Sequence, residues 1–155
     1  MHASRLPVSL ATAAEFPLLR AALAGASLPH EDLDPTAQEF LVARDDGMLV
    51  GMIGLEAFGE SALLRSLWVD PARRGEGLAA LLCLRLRSLA RSRGVADLFL
   101  LTTTARDFFE HAGFRVVDRE AAPAKIRGSA QFQALCPSSA TCMVRSLQDE
   151  VVHLP

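Results

Sequence analysis

The sequence predicts an α/β fold in one domain over residues 1–155, with helices on both faces of a mixed central sheet. Two observations predict it. Strands come first, paired as hairpins, and then alternate with helices, an order typical of a mixed sheet. Later in the chain, residues 95–102 (VADLFLLT) form a continuous apolar run, which is typical of a strand buried on both faces.

The N-terminal segment predicts a short strand, a helix and a polar loop. Residues 5–10 (RLPVSL) form the strand. Thr12 is a candidate N-cap, and Glu15 three positions later completes a capping box. The apolar residues that keep the helical period after it are Phe16, Leu19, Ala22 and Leu23. Prolines bracket residues 28–35 (LPHEDLDP), which we expect to form a loop or a short helix.

Two apolar runs flank Asp45-Asp46-Gly47, and Asp-Gly between such runs indicates a β-hairpin. A third strand, residues 62–70, ends at Pro71. The strongest helix pattern is 77–93, with Gly94 placed to end it. Its apolar stripe is Leu78, Leu81, Leu82, Leu86 and Leu89. After strand 95–102 the pattern predicts a short helix over 105–112, a strand over 114–118, a helix over 123–135 and a strand over 141–147.

Composition narrows the functional classes. The 155 residues are 50% hydrophobic and 22% charged, which indicates a compact globular protein. The net charge is −2 with both signs mixed along the chain, which argues against a nucleic-acid partner. No apolar run reaches the roughly 18 residues of a membrane helix, and no signal peptide is recognised. Three cysteines without CxxC spacing favour neither a metal site nor a disulfide framework, and a cytoplasmic location fits best.

Residues 64–82 (LRSLWVDPARRGEGLAALL) carry the most informative motif. A strand runs into a turn rich in arginine and glycine, and a long helix follows. Such a turn presents unpaired backbone N–H groups at a helix N-terminus, where the helix dipole also favours anions. Gly75 and Gly77 lack a Cβ, and Arg73 and Arg74 add charge, so the segment suits a pyrophosphate. The alternative is an ordinary turn that opens a helix; a Walker loop and a Rossmann fingerprint are both absent.

The string Arg74-Gly75-Glu76-Gly77-Leu78-Ala79 matches R/Q-x-x-G-x-G/A, and ARDFFEHAGF further along resembles A-x-x-x-Y-E-x-x-G-F. In both strings the chain resembles the Gcn5-related N-acetyltransferases (GNAT), over roughly residues 5–147. The resemblance implies a mainly antiparallel sheet that splays beyond residues 101–102, with acetyl-CoA as co-substrate. It implies that the backbone of Leu67, Trp68 and Val69 pairs with pantetheine and that residues Arg74 to Ala79 hold the pyrophosphate.

The resemblance also implies a mechanism, in which a neutral amine attacks the thioester, a general base takes the ammonium proton and an acid protonates the thiolate. The acid is usually a tyrosine, but Phe109 stands at that position and the chain has no tyrosine. A water, the hydroxyl of Thr103 or Thr104, or no acid at all remains. A thiolate is a tolerable leaving group because a thiol has a pKa of about 8.5.

Two charged residues are candidates for the acceptor side. Glu56 lies in an apolar run (MIGLEAF), where burial would raise its pKa and suit it to act as the base. The alternative is a solvent-facing edge glutamate. Strand alternation places Arg65 on the face of Leu67 and Val69, where it would bind an anionic acceptor. The alternative is a surface arginine.

Longer strings, LRSLWV, LFLLTTTARDFFEHAGF and AKIRGSAQFQALCPSSATCM, resemble the arsenic-resistance (ArsN-type) branch of N-acetyltransferases. That resemblance implies an arsenic-containing amino compound as acceptor, near Thr102, Thr103 and Thr104. Cys136 and Cys142 are either thiolate ligands for arsenic or small buried hydrophobes.

The partner expected from these observations is a small-molecule amine, with no membrane, nucleic acid or metal, and pairing as a homodimer is left open. Two other functions remain alternatives. One is a non-catalytic module that binds acyl-CoA or responds to trivalent arsenic. The other is a housekeeping acetyltransferase that acts on a protein N-terminus or an amino acid.

Overall fold

The computed structural model describes residues 6–135 and 139–148. The strands are β1 (Val8–Leu10), β2 (Glu39–Asp45), β3 (Met48–Phe58), β4 (Ser61–Val69), β5 (Asp97–Thr102), β6 (Arg115–Val117) and β7 (Thr141–Ser146). The α-helices are α1 (Phe16–Gly25), α2 (Leu78–Ser92), α3 (Arg106–His111) and α4 (Ala124–Arg127). Short 3₁₀ turns cover Ala13–Glu15, Pro71–Arg73 and Arg119–Ala121, and a π-helical turn covers Gln131–Leu135.

The strands form one open sheet in the order β1-β2-β3-β4-β5-β7-β6. The pairs β1–β2, β2–β3, β5–β7 and β6–β7 are antiparallel. The pair β4–β5 is parallel, with Ser61 opposite Asp97 and Leu63 opposite Phe99. The mixed, mainly antiparallel α/β fold predicted from the sequence is therefore confirmed. No helix within the described residues is long and apolar enough to cross a membrane.

The chain divides into two compact units. The first consists of Met1–Glu56 and Leu64–Ser88, and the second consists of Ala57–Leu63 and Leu89–Pro155. In the first unit, Met52 of β3 belongs to the apolar core that α1 covers. The adjacent Gly51 points to the other face, where a Cβ would lie only 3.0 Å from Leu78 Cδ2 of α2. In this unit, therefore, helices cover both faces of the sheet, as predicted. The buried core residues on the α1 side are Phe16, Leu19, Leu23, Leu33, Phe40, Val42 and Met52.

In the second unit, β5 lies between β4 and β7. Leu98, Phe99 and Leu100 are consecutive and all buried, which confirms that this strand is covered on both faces. The core cluster beside it consists of Leu63, Phe99, Ala122, Ile126, Phe132, Cys142 and Val144.

Two local predictions, the capping box at Thr12 and the hairpin turn at Asp46-Gly47, are confirmed. The Thr12 backbone N–H donates to Glu15 Oε1 at 2.8 Å, as the capping box requires. In the Asp46-Gly47 turn both residues have positive φ, 51° and 78°, which is the geometry that a two-residue hairpin loop favours. Part of the N-terminal strand prediction, Arg5, lies outside the described residues.

The single helix predicted over 123–135 is wrong. Helix α4 ends at Arg127, Gly128 follows it, and a separate π-helical turn covers Gln131–Leu135. Ser129 Oγ donates to the carbonyl of Ile126 at 2.6 Å. Such a side-chain bond competes with the helical ladder, and glycine is a poor helix former, so the helix ends there.

Candidate active site

The segment between β4 and α2, residues 71–77, is called the glycine loop below. Asp70 fixes its entry, because its N–H donates to the Val50 carbonyl at 2.9 Å and its Oδ1 accepts from Ala72 N at 3.0 Å. Gly75 and Gly77 have φ of 83° and 85°, a left-handed backbone that side chains disfavour. Nothing lies within 4 Å of the position a Cβ would take at either glycine. The loop is thus an open backbone surface at the start of a 15-residue helix.

The two arginines of the loop differ in their surroundings. Arg73 donates to Asp45 Oδ2 at 2.7 Å and to Glu76 Oε1 at 3.2 Å, so two carboxylates already neutralise it. Arg74 is exposed. The first N–H groups of α2, from Leu78 onwards, have no partner inside the helix, and the helix dipole makes this end positive. Arg74 and the helix end together suit an anion.

Before the loop, β4 departs from regular extended geometry. Ser66 has φ of 60°, although it is neither glycine nor at a turn. Strict alternation of side chains therefore fails at this residue, and the predicted common face of Arg65, Leu67 and Val69 does not follow. Leu67, Trp68 and Val69 are all half-buried. Trp68 packs against the core that α1 covers, as expected of a side chain turned towards a helix.

Glu56 and Arg65 lie together with Asp32 and Gln38 in a group that we call the charged cluster. Arg65 is 2% exposed and donates to both oxygens of Asp32, at 2.5 and 2.6 Å. It also donates to Glu56 Oε1 at 3.1 Å and to Ser66 Oγ at 3.1 Å. Two carboxylates and one guanidinium leave this cluster with one net negative charge when all are ionised.

The environment of Glu56 favours the protonated form more than water does. Burial raises the pKa of Glu56, while the charge and hydrogen bond of Arg65 act against this rise. The charge of Asp32 adds to the rise, and a hydrogen bond from Gln38 opposes it. A half-buried carboxylate with a raised pKa is better suited to accept a proton near neutral pH than an exposed one. The alternative of a solvent-facing edge glutamate is wrong.

The structure changes the interpretation of Arg65. It is a buried residue, so the alternative of a surface arginine is wrong. Its donors already bind Asp32, Glu56 and Ser66, and its side chain has no exposed surface. Direct binding of an anionic acceptor would require breaking these bonds, which the geometry disfavours.

Sequence reasoning missed Asp32 and Gln38. Both lie in or next to the polar segment between two prolines, which carries no recognisable motif. The sequence predicts only a loop or a short helix there, which does not single out a carboxylate.

Thr102 is the last residue of β5 in the second unit, and Thr103 and Thr104 follow it. Thr102 Oγ1 accepts from Ala105 N at 3.0 Å, so this hydroxyl helps to start α3. Thr103 and Thr104 are exposed. Contact of these residues with an acceptor stays a prediction.

Phe109 is 5% exposed and belongs to an aromatic group. Its ring lies edge-on to Phe108 and Phe114, with centroids 5.1 and 5.6 Å away. Cys142 is buried, and burial raises the pKa of its thiol, which disfavours the thiolate that arsenic would need. Cys136 lies outside the described residues.

A family model described as "Acetyltransferase (GNAT) domain" matches residues 36–116, which is just over half of the chain. The chain belongs to the GNAT acetyltransferase family. The matched segment contains Glu56, Arg65 and the glycine loop, whereas Asp32 precedes it. The general resemblance drawn from the motif is therefore confirmed, and the link to the arsenic-resistance branch stays a prediction.

Relatives of this GNAT chain include the amino-acid acetyltransferase of Shewanella oneidensis, 31% identical over 106 residues. That match covers 67% of the chain and 24% of the relative, so the chain spans about a quarter of the curated relatives it matches. Among solved structures, N-acetylglutamate synthase from Neisseria gonorrhoeae, complexed with coenzyme A and L-arginine, aligns with a TM-score of 0.75 and 21% identity. The alignment covers 91% of the chain and 33% of that protein. Tetrahymena GCN5 aligns with a TM-score of 0.74 and 15% identity, covering 96% of the chain and 100% of that protein.

Proposed function

We propose that the protein transfers the acetyl group of acetyl-CoA to the amine of a small, amino-acid-like molecule. The observation that carries the proposal is the glycine loop at the start of α2. It occurs in a GNAT domain whose first unit also holds a half-buried carboxylate with a raised pKa, Glu56. The first feature supports donor binding and the second supports proton removal.

The glycine loop fits the pyrophosphate of acetyl-CoA. A phosphate oxygen can approach the backbone closely where no Cβ intervenes, and the positions beside Gly75 and Gly77 are open. Arg74, Glu76, Leu78 and Ala79 complete the segment that we assign to the pyrophosphate, with Arg74 supplying charge and the helix start supplying N–H donors. We assign the backbone of residues 67–69 to pantetheine, as the GNAT motif implies.

Acetyl-CoA supplies an acetyl group activated as a thioester. The amine of the acceptor forms the new N–C bond as the C–S bond breaks, and the electron pair of that bond leaves with sulfur. In this proposal Glu56 accepts one proton from the ammonium, directly or through one water, which leaves the neutral amine that attacks. The second proton leaves the nitrogen after the N–C bond forms and passes through water to the departing thiolate. The thiolate needs no strong acid because its conjugate thiol is itself acidic, which agrees with a phenylalanine at position 109.

The charged cluster supports a cationic amine as the group that approaches Glu56. Its net charge of one negative unit attracts an ammonium and repels a carboxylate. An amino acid satisfies this if its ammonium faces Glu56 and its carboxylate lies away from the charged cluster. The amino-acid acetyltransferases among the relatives support such an acceptor. An arsenic-containing amino acid is the specific acceptor that the longer sequence strings favour.

The test is release of free coenzyme A from acetyl-CoA, measured with a thiol reagent against a panel of amines. The panel comprises L-glutamate and other common amino acids, an arsenic-containing amino acid, and peptides with free N-termini. Release with any free amino acid supports the proposal. Release with peptides only would indicate an N-terminal acetyltransferase. Tight binding of acetyl-CoA in calorimetry without release for any amine would favour the non-catalytic module.

We also propose that residues 1–155 act as one catalytic domain in the cytoplasm. Cys83 and Cys142 are buried free thiols, and burial raises the pKa of Cys83 to about 12. Unpaired thiols of this kind support a reducing compartment. Formation of a homodimer stays a prediction that size-exclusion chromatography with light scattering would test.

A further inference from the structure

Asp32 is held in a firmly anchored loop between α1 and β2. Gln38 Nε2 donates to the Asp32 carbonyl at 3.1 Å, and Gln38 Oε1 accepts from Asp34 N at 3.0 Å. The neighbouring Leu33 is 5% exposed in the core, and Arg20 Nη2 donates to its carbonyl at 2.9 Å. The backbone around Asp32 is therefore fixed on both sides, and this holds its carboxylate in one position.

In this position the carboxylate of Asp32 binds the guanidinium of Arg65. Asp32 accepts two short hydrogen bonds from it, through separate oxygens and separate nitrogens, at 2.5 and 2.6 Å. Glu56 accepts only one, at 3.1 Å. A bidentate carboxylate–arginine pair is the stronger arrangement. Arg65 thus directs most of its interaction to Asp32 and only one longer bond to Glu56.

The position of Arg65 is also fixed from the other side of its stem. A Cβ at Gly54 of β3 would lie 3.1 Å from Arg65 Cγ and 2.7 Å from a ring carbon of Phe40. Glycine at this position leaves the space that the aliphatic part of Arg65 and the Phe40 ring occupy. The stem of Arg65 is therefore packed in place, and its guanidinium lies within hydrogen-bond distance of both carboxylates.

We propose that Asp32 is a positioning residue that engages Arg65 and thereby keeps the Glu56 carboxylate available as a proton acceptor. The inference rests on the proposed role of Glu56. A guanidinium bound fully to Glu56 would hold it as a carboxylate with little affinity for a proton. The charged groups facing Glu56 are Arg65 from β4 and Asp32 from the loop, and Gln38 adds a neutral hydrogen bond. Asp32 precedes the segment that the GNAT model matches, so the residue proposed to influence Glu56 lies outside that segment.

The direct test is a pH titration of the Glu56 carboxyl by ¹³C NMR on protein labelled at glutamate. The variant Glu56→Gln identifies its resonance. Replacing Asp32 by asparagine removes a negative charge and leaves Arg65 to Glu56, so the titration midpoint of Glu56 should move to lower pH. The double variant Asp32→Asn with Arg65→Met removes both charges and leaves burial and the Gln38 hydrogen bond. Because Arg65 affects the pKa of Glu56 more than Asp32 does, the midpoint should move to higher pH than in the parent.

Glu31→Gln is the matched control, because Glu31 is the exposed neighbour of Asp32 and its removal changes the net charge equally. Its Glu56 midpoint should stay at the parental value. The acid limb of kcat/KM should follow the NMR midpoint in each variant, a shift that a purely structural role would not produce. If Asp32→Asn folds poorly, Asp32→Ser, which removes the same charge with a smaller side chain, is titrated in its place and should shift the Glu56 midpoint in the same direction.

Two failures are distinguishable. A Glu56 midpoint that is the same in the parent and in Asp32→Asn overturns the role of Asp32, whatever the activity. Full turnover in Glu56→Gln overturns Glu56 as the base, while the NMR shifts still report whether Asp32 controls its proton affinity.

Discussion

Arg73 of the glycine loop donates from Nη1 to Oδ2 of Asp45, the last residue of β2, at 2.7 Å. Asp45 is followed by the tight Asp46-Gly47 turn, so the hairpin presents its carboxylate at a fixed position. Arg73 also binds Glu76 within the loop. A rigid hairpin thereby holds a loop that contains two glycines, and the conformation proposed to bind pyrophosphate is prepared before the ligand arrives.

Replacing Asp45 by asparagine should weaken coenzyme A binding by a few-fold, with a smaller effect at high salt. The expected size is modest because partly exposed ion pairs contribute little and are screened. Calorimetric titration with coenzyme A at two salt concentrations measures it. Asp46→Asn is the control, since it removes the same charge one residue away and asparagine tolerates the left-handed backbone there. Equal affinities for the two variants would show that the tie to Arg73 does not matter for binding.

Gly77→Val should abolish coenzyme A binding in a protein that still folds. The backbone at Gly77 has φ of 85°, which a β-branched residue strongly disfavours, and its side chain would stand where the phosphate approaches. Gly59→Val is matched to it, because Gly59 has φ of 75° and open space around its Cβ position but lies in the turn between β3 and β4. The control should lose stability to a similar degree and keep its affinity. Undiminished binding by Gly77→Val would remove the loop from the site.

The glycine loop was predictable from sequence because all its determinants are local. A strand, a proline, two glycines and a helix start follow one another within residues 64–82, and each has a known backbone preference. The charged cluster was only partly predictable. Asp32 and Arg65 are 33 positions apart, and their contact depends on how the loop after α1 folds back. No periodicity or spacing in the chain encodes that path.

Two other failures have similar physical causes. The prediction of one helix beyond Pro123 took no account of Ser129. The hydroxyl of Ser129 donates to a backbone carbonyl and so competes with the hydrogen bonds that would continue the helix. The face predicted for Arg65 assumed regular alternation, and the left-handed Ser66 breaks it. In both cases one residue overrides a pattern, which a count of apolar positions cannot detect.

Phe109→Tyr should leave turnover within a few-fold of the parent and lower the stability. The ring is buried between Phe108 and Phe114, so the new hydroxyl would lose its hydration without a prepared partner. Such burial costs about 1–3 kcal/mol. Phe108→Tyr is the control, because Phe108 is only half-buried and its hydroxyl can reach water. Thermal unfolding and steady-state rates measure both effects. A rate increase of about a hundredfold, equivalent to roughly 2.7 kcal/mol, would show that protonation of the thiolate limits the parent.

Glu56→Gln should lower kcat by roughly 10²–10⁴ if Glu56 is the base. In the parent, activity should fall as the pH drops through the pKa of Glu56, which burial raises, so the acid limb should lie above the range of an ordinary carboxyl group. The variant should lack this limb and recover partly at high pH, where the free amine forms in solution. Glu60→Gln, at an exposed position in the β3–β4 turn, should keep the parental profile. A full acid limb in Glu56→Gln would assign the titration to another group.

Arg65→Ala should lower the free energy of unfolding by about 3–5 kcal/mol at neutral pH, because it leaves two carboxylates without their shared cation. The loss should be smaller in acid. Without Arg65 the pKa of Glu56 rises further, since Arg65 is the main group that opposes the effect of burial. A carboxyl group whose pKa is higher in the folded than in the unfolded protein binds more protons when folded, so stability falls as the pH rises between the two values. Urea unfolding from pH 5 to pH 8 measures the gap, that is, the difference in the free energy of unfolding between parent and variant. This gap should therefore increase with pH. Arg74→Ala, which removes an exposed arginine, should show almost no gap at any pH. A gap that is large but independent of pH would mean that Arg65 contributes through its buried stem and not through the charge that it shares with Glu56.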